Sequence, residues 1–163
     1  MSKEGIQGTM GQVHAEAERV IDTTPATVYA FLTDYTKRPQ ILTDNYTDYA
    51  VISGGKGAGT VFTYRREAAG RVRVDRMRVE ETTKGQQLTE REENSSFVTI
   101  WTLTPLENGS KTRVRLSSDW QGATGVKGFF EGTFAPLGLR RIYSEILDKL
   151  EAAVGSEATA GAR

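Results

Sequence analysis

The sequence predicts an α+β domain in which one antiparallel sheet wraps around a long C-terminal helix. Three observations predict it. Seven or so short segments of alternating polarity run between residues 13 and 120. A helical insert at residues 23–42 interrupts them after the first. One long amphipathic segment, residues 122–154, then closes the chain. A one-sided helix needs a partner surface for its apolar stripe. The only surface large enough here is the inner face of the sheet. A sheet gripping a helix leaves a hollow between them, so the order of elements points to a protein that holds something small and apolar.

Each element has a local reason. Val13, Ala15, Ala17 and Ile21 share one parity and His14, Glu16 and Glu18 the other, which predicts a half-buried strand over residues 13–22. Thr24 before Pro25 is a helix start, because proline has no N–H to leave orphaned in the first turn. Val28, Phe31 and Leu32 then fall on one face, and Pro39 limits a second, shorter helix. Residues 45–52 form a strand, and the glycines of residues 53–59 a loop. Phe62 and Tyr64 share a face of the strand at residues 60–67. In residues 71–81 the apolar parity changes, from Val72 and Val74 to Met77 and Val79, which predicts a bulge near Asp75. A polar strand at 87–93 is anchored by Leu88. Phe97, Thr99, Trp101 and Leu103 face one way in residues 97–105. Asn108-Gly109 carries a hairpin signal, and Val114, Leu116 and Trp120 share a face of the last strand. Pro136 suits the first turn of the final helix, whose stripe is Leu139, Tyr143, Ile146, Leu150 and Ala153.

Composition narrows the function. The 163 residues fit one domain, and 37% hydrophobic content is enough for one core. We read residues 1–12 as a polar flexible leader, 13–154 as the domain and 155–163 as a flexible tail. A formal net charge of zero implies no sequence-wide attraction to nucleic acid or to an anionic membrane. No apolar run approaches the ~20 residues a transmembrane helix needs. There is no cysteine, which excludes disulfides and thiolate chemistry and suits a reducing cytoplasm, the expected location. His14 is the sole histidine, sits on the polar parity, and has no serine nucleophile placed beside it. No dinucleotide or phosphate-binding loop is present. We expect no metal, no cofactor, and a monomer or homodimer.

A family resemblance joins these readings. The run Val20-Ile21-Asp22-Thr23-Thr24-Pro25-Ala26-Thr27-Val28-Tyr29-Ala30-Phe31-Leu32-Thr33-Asp34 resembles the opening of the START-like (SRPBCC) superfamily, in its polyketide cyclase/dehydrase branch. Gly57-Ala58-Gly59-Thr60 is similar to that family's first glycine turn. Val79-Glu80-Glu81, Leu103-Thr104-Pro105 and Thr112-Arg113-Val114 fit its later strands. Gly128-Phe129-Phe130, through Pro136 to Leu150, looks like its closing helix. The resemblance covers residues 13–154. It implies a helix-grip fold, with a curved seven-stranded sheet around the last helix and two short helices after the first strand. Members bind lipids, sterols, polyketides, quinones or plant hormones, and some are aromatase/cyclases. The family usually carries a tryptophan shortly after the aspartate that ends the first helix. Here residues 34–42 have none.

The candidate ligand wall follows from parity. It comprises Phe62 and Tyr64, then Met77 and Val79, then Leu88 and Glu90. Trp101 and Leu103 continue it, followed by Val114, Leu116 and Trp120, with Phe130, Phe134 and Tyr143 from the closing segment. Gly122, Gly125, Gly128 and Gly132 soften that segment, and we read residues 122–134 as a mobile gate capped by phenylalanines. Glu90 and Glu92 share the parity of Leu88. Because long charged side chains are rarely buried, the strand is expected to turn them outward, into a ladder with Arg91 and Arg73. Were they inward, Arg76 or Arg19 would be the partners. The sequence leaves three functions open. They are a binder of a small hydrophobic molecule, a polyketide cyclase or dehydratase with an internal acid/base residue, and a partner-binding protein with a filled core.

Overall fold

The computed structural model describes residues 12–68, 70–121 and 125–161, and the side chains of these except 68, 71, 125–135 and 157–161. Seven strands form one curved antiparallel sheet in the order β1-β7-β6-β5-β4-β3-β2. They are β1 (Gln12–Ile21), β2 (Tyr46–Ser53), β3 (Val61–Ala68), β4 (Arg71–Thr83), β5 (Gln87–Glu92), β6 (Val98–Leu106) and β7 (Lys111–Gln121). Between β1 and β2 lie helix α1 (Pro25–Thr33) and a single 3₁₀ turn, Arg38–Gln40. Helix α2 (Gly125–Gly161) closes the chain. Its backbone stays helical past Gly155, where the sequence suggested a tail.

The predicted caps and turns form. The Thr24 side chain accepts the Thr27 N–H at 3.2 Å, with Pro25 in the first turn. The second predicted helix is only the 3₁₀ turn, with Pro39 at its centre. Asn108 and Gly109, at φ 57° and 86°, turn the chain from β6 into β7.

Two readings need correction. β4 has no bulge at Asp75, because its pairing with β3 runs without a break from Val61↔Arg78 to Ala68↔Arg71. Asp75, Met77 and Val79 share one inward parity, and Asp75 is buried in an ion pair with Arg66. Val72 and Val74 point out to solvent. A buried charge and two exposed valines together imitate a parity change. Pro136, for its part, lies inside α2 and does not open it, since the helix begins at Gly125.

Helix α2 lies along β1 and reaches β3, β7 and the 3₁₀ turn. Leu139, Tyr143, Ile146 and Leu150 are buried as the spacing predicts, joined by Ile142, Leu147 and Val154. Fully burying each such side chain stabilises the fold by roughly 1.5–3 kcal/mol. On the far side, Arg19 of β1 binds Asp148 and also Glu151, the latter at 3.1 Å.

Candidate functional site

Cross-strand register builds a polar row on the concave face of the sheet. Glu90 of β5 pairs with Thr99 of β6, which pairs with Ser118 of β7. Thr99 and Ser118 hydroxyls share a hydrogen bond at 2.7 Å, and Ser118 also bonds the Tyr143 hydroxyl of α2. A second row beside it, Leu88–Trp101–Leu116, is apolar. Sheet and helix thus meet over one polar strip flanked by aromatic and aliphatic surface.

Glu90 is on the wall, where its parity puts it, and the outward ladder favoured on grounds of charge does not hold: Glu90 and Glu92 are both buried. Arg91 binds Glu80 on the outer face, Arg76 binds Glu93, and Arg19 is on α2's flank. The partner of Glu90 comes from the insert. Arg38 is 4% exposed and grips Glu90 with both terminal nitrogens, Nη1 to Oε1 at 3.2 Å and Nη2 to Oε2 at 2.7 Å. Tyr35 donates its hydroxyl to Oε2 at 2.5 Å. The Arg38 guanidinium lies 4.6 Å from the Tyr35 ring centre, 5.3 Å from Trp101 and 5.7 Å from Phe62. Such a desolvated cation is stable only because its charge and donors are met. Burial pushes the Arg38 pKa down, but the Glu90 carboxylate outweighs it and leaves the guanidinium above its ordinary value. Burial, then the Glu90 charge, raises the Tyr35 phenol well above its ordinary value. Glu92 is held otherwise, accepting the backbone N–H groups of Arg76 at 3.0 Å and Asn94 at 2.9 Å.

The segment carrying Tyr35 and Arg38 is fastened by the glycine loop. Tyr35 N–H donates to Gly55 at 2.8 Å and Gly57 N–H to Thr33 at 2.9 Å. Gly57 has φ +65°, and a Cβ there would meet Glu81 Oε1 at 2.7 Å. That same oxygen accepts the Ala58 N–H, while Glu81 Oε2 accepts the Tyr29 hydroxyl of α1.

A second buried ion pair lies further along the concave face. Arg66 Nε donates to Asp75 Oδ2 at 2.7 Å, with its guanidinium 4.3 Å from the Phe97 ring centre. Phe97 in turn meets Trp120 at 5.8 Å.

Between these groups lies a cavity of about 20 Å³, lined by Arg38, Leu42, Tyr46, Tyr64, Glu90, Thr99, Trp101, Leu116, Tyr143 and Ile146. That is room for about one water, much less than the hollow the fold suggested. Of the predicted wall, Tyr64, Glu90, Trp101, Leu116 and Tyr143 border it. Phe62, Met77, Val79, Leu88, Leu103, Val114 and Trp120 are buried in the surrounding core without bordering it. The side chains of Phe130 and Phe134 lie outside the described residues, as do residues 122–124 and the remaining side chains of the proposed gate, whose backbone from Gly125 onward belongs to α2. Arg38, Leu42, Tyr46, Thr99 and Ile146 join the wall unforeseen. For Arg38 and Leu42 the one signal was the departure of residues 34–42 from the family pattern, whereas Thr99 shares the face of Trp101 and Leu103, and Ile146 lies on the apolar stripe of α2. Burial raises the phenols of Tyr46 and Tyr64 well above their ordinary range, so both stay neutral. The Trp101 Nε1 is a buried donor with no acceptor among the described residues. No group of three or more metal-ligating side chains converges among the described residues. No helix there is long and apolar enough to cross a membrane.

A curved sheet gripping a terminal helix, with a small aromatic-walled cavity between them, defines the helix-grip class. The chain belongs to the START-like (SRPBCC) superfamily, in the family described as polyketide cyclase/dehydrase and lipid transport, which matches residues 12–155. The solution structure of the KanY protein is 45% identical, with TM-score 0.77, over 89% of this chain and 99% of that one. The protein TTHA0849 from Thermus thermophilus has the same fold at 19% identity, with TM-score 0.74, over 88% and 98%. So does the Zhui aromatase/cyclase from Streptomyces sp. R1128, at 18% identity and TM-score 0.64, over 93% and 96%. Comparison with curated proteins returns no match.

Proposed function

We propose that this protein binds a small hydrophobic molecule, lipid-, polyketide- or aromatic-like, in the cavity between the sheet and α2. The observation that carries this reading is the wall itself. Tyr46, Tyr64, Trp101, Leu116 and Ile146 give apolar surface, and the Trp101 N–H has no acceptor among the described residues. Ligand pockets have this composition, with a few polar groups set in an apolar lining. A ligand larger than the cavity's 20 Å³ must displace side chains. Leu42 and Ile146 are the ones to move, because they belong to the insert and the helix, and unlike Arg38 and Tyr143 of the same elements their side chains make no hydrogen bonds. The family description, which spans cyclase, dehydrase and lipid transport, supports the same class of occupant.

Native mass spectrometry of the protein as purified tests the reading directly. It should release a hydrophobic molecule. A panel of fatty acids, sterols, flavonoids and quinones should contain at least one member that raises the melting temperature, by about 2.7 kcal/mol of stabilisation at a hundredfold excess over Kd. A panel that changes neither melting temperature nor tryptophan emission, with nothing co-purifying, would leave the filled-core, partner-binding reading in its place.

Acid/base chemistry on a polyketide is the second reading, favoured by one observation: a carboxylate, Glu90, buried at the cavity. Both its oxygens are already engaged by Arg38 and Tyr35. To take a substrate proton it would have to give up one of them, so binding stands first.

A further inference from the structure

We propose that the molecule held in this cavity is uncharged and offers an oxygen to the Trp101 indole N–H, so that ketones, aldehydes or esters are taken and carboxylates refused. The inference rests on the binding reading above and narrows it. Its first support is Trp101. The residue lines the cavity and is 2% exposed, and its Nε1 is the one buried side-chain nitrogen or oxygen without a partner among the described residues. Indole can only donate, so what answers it is an acceptor. A buried donor left unmade is a persistent cost that an incoming acceptor removes.

The second support is the charge inside. Among the described residues the buried charged side chains are two arginines, Arg38 and Arg66, and three carboxylates, Asp75, Glu90 and Glu92. Each arginine already faces a carboxylate at 2.7 Å. The charged groups that border the cavity are Arg38 and Glu90, already paired with each other. A fatty acid would therefore meet no free cation among the described residues, and its carboxylate would be desolvated without a partner, which is the costly case. An ammonium would likewise find Glu90 already engaged and would leave the indole unanswered. Tyr46 and Tyr64, on the same wall, can turn their hydroxyls toward the ligand in either sense.

Four naphthalenes substituted at the 2-position, with acetyl, ethyl, carboxylate or aminomethyl, separate the possibilities on the intact chain. Calorimetry gives affinities. The two indole N–H resonances, from Trp101 and Trp120, are distinguished with Trp120→Phe. The acetyl compound should bind roughly 10-fold tighter than the ethyl and on the order of 100-fold tighter than the carboxylate. It alone should move the Trp101 indole proton downfield. Trp101→Phe should bring acetyl down to the affinity of ethyl. A carboxylate or ammonium that binds as tightly as the ketone, or ethyl equal to acetyl, overturns the proposal and leaves the binding reading standing. If none of the four binds the proposal falls, and if in addition nothing co-purifies the binding reading falls with it.

Discussion

Arg38 brings a full charge into a space bounded by three aromatic rings and one carboxylate. Removing only one partner of such a pair leaves the other buried and unanswered. Arg38→Met should cost about 3 to 5 kcal/mol in urea denaturation. Adding Glu90→Leu should restore most of it, because an apolar pair of similar bulk needs no solvation. A single-variant loss below about 1 kcal/mol would mean that water reaches Glu90. Parity in the sequence puts Glu90 on the inward face, yet its charge argues for the opposite orientation. A carboxylate on an inward parity is ordinarily a sign that the strand bends away, and the cation that keeps it inside stands 52 positions away in another element. Pairings of that range leave no mark in local periodicity. Asp75 misleads for the same reason, since its partner Arg66 is on the neighbouring strand.

At the scale of elements, α2 shows what periodicity does record. The spacing of Leu139, Tyr143, Ile146 and Leu150 identifies the buried face from the residues alone, because a helix repeats its own geometry. Ile146 is 4% exposed, so Ile146→Ala should cost roughly 2 to 5 kcal/mol. A loss under about 0.5 kcal/mol, measured by the same denaturation, would place that face in solvent. The helix start is less legible. Glycine and proline argue against helix in isolation, yet α2 begins at Gly125 and carries Pro136 within it. The strands are readable to within a residue or two wherever one face is wet, as in β1, β6 and β7. The insert is readable as far as Thr24 and Pro25, where capping chemistry is local. Beyond Asp34 it is not, because that stretch is held by the glycine loop and not by its own repeat.

The whole molecule closes by pairing its first strand with its last, β1 against β7 at one edge of the sheet. His14 fastens this junction. Its Nε2 lies 2.7 Å from Glu16 of β1 and its Nδ1 2.7 Å from Asp119 of β7. The hydrogen bonds to Glu16 and then Asp119 raise its pKa above the ordinary 6.5. A group whose folded pKa is raised lends stability that is fully present below the unfolded pKa and lost as pH rises through the folded one. The urea midpoint should therefore fall as pH climbs from about 6 upward. His14→Gln should flatten that slope, since no second histidine exists to supply it. The effect should stay under about 1 kcal/mol, as the junction is well exposed to water. An unchanged slope in the variant would remove His14 from the closure. Pairing between such distant segments also predicts slow folding, since β1 and β7, roughly a hundred positions apart, must meet before the sheet's edge exists.

The cavity draws its floor from the sheet and its roof from elsewhere. Glu90, Thr99 and Trp101 belong to strands whose register fixes them, whereas Arg38 and Leu42 follow directly on Thr33 and Tyr35, which the backbone of Gly55 and Gly57 clasps. That clasp uses main-chain groups and is indifferent to most side chains it holds. Divergence can thus proceed unevenly along the chain. A descendant could acquire a taste for a different ligand by rewriting the handful of residues under the clasp, while the sheet beneath is inherited unaltered.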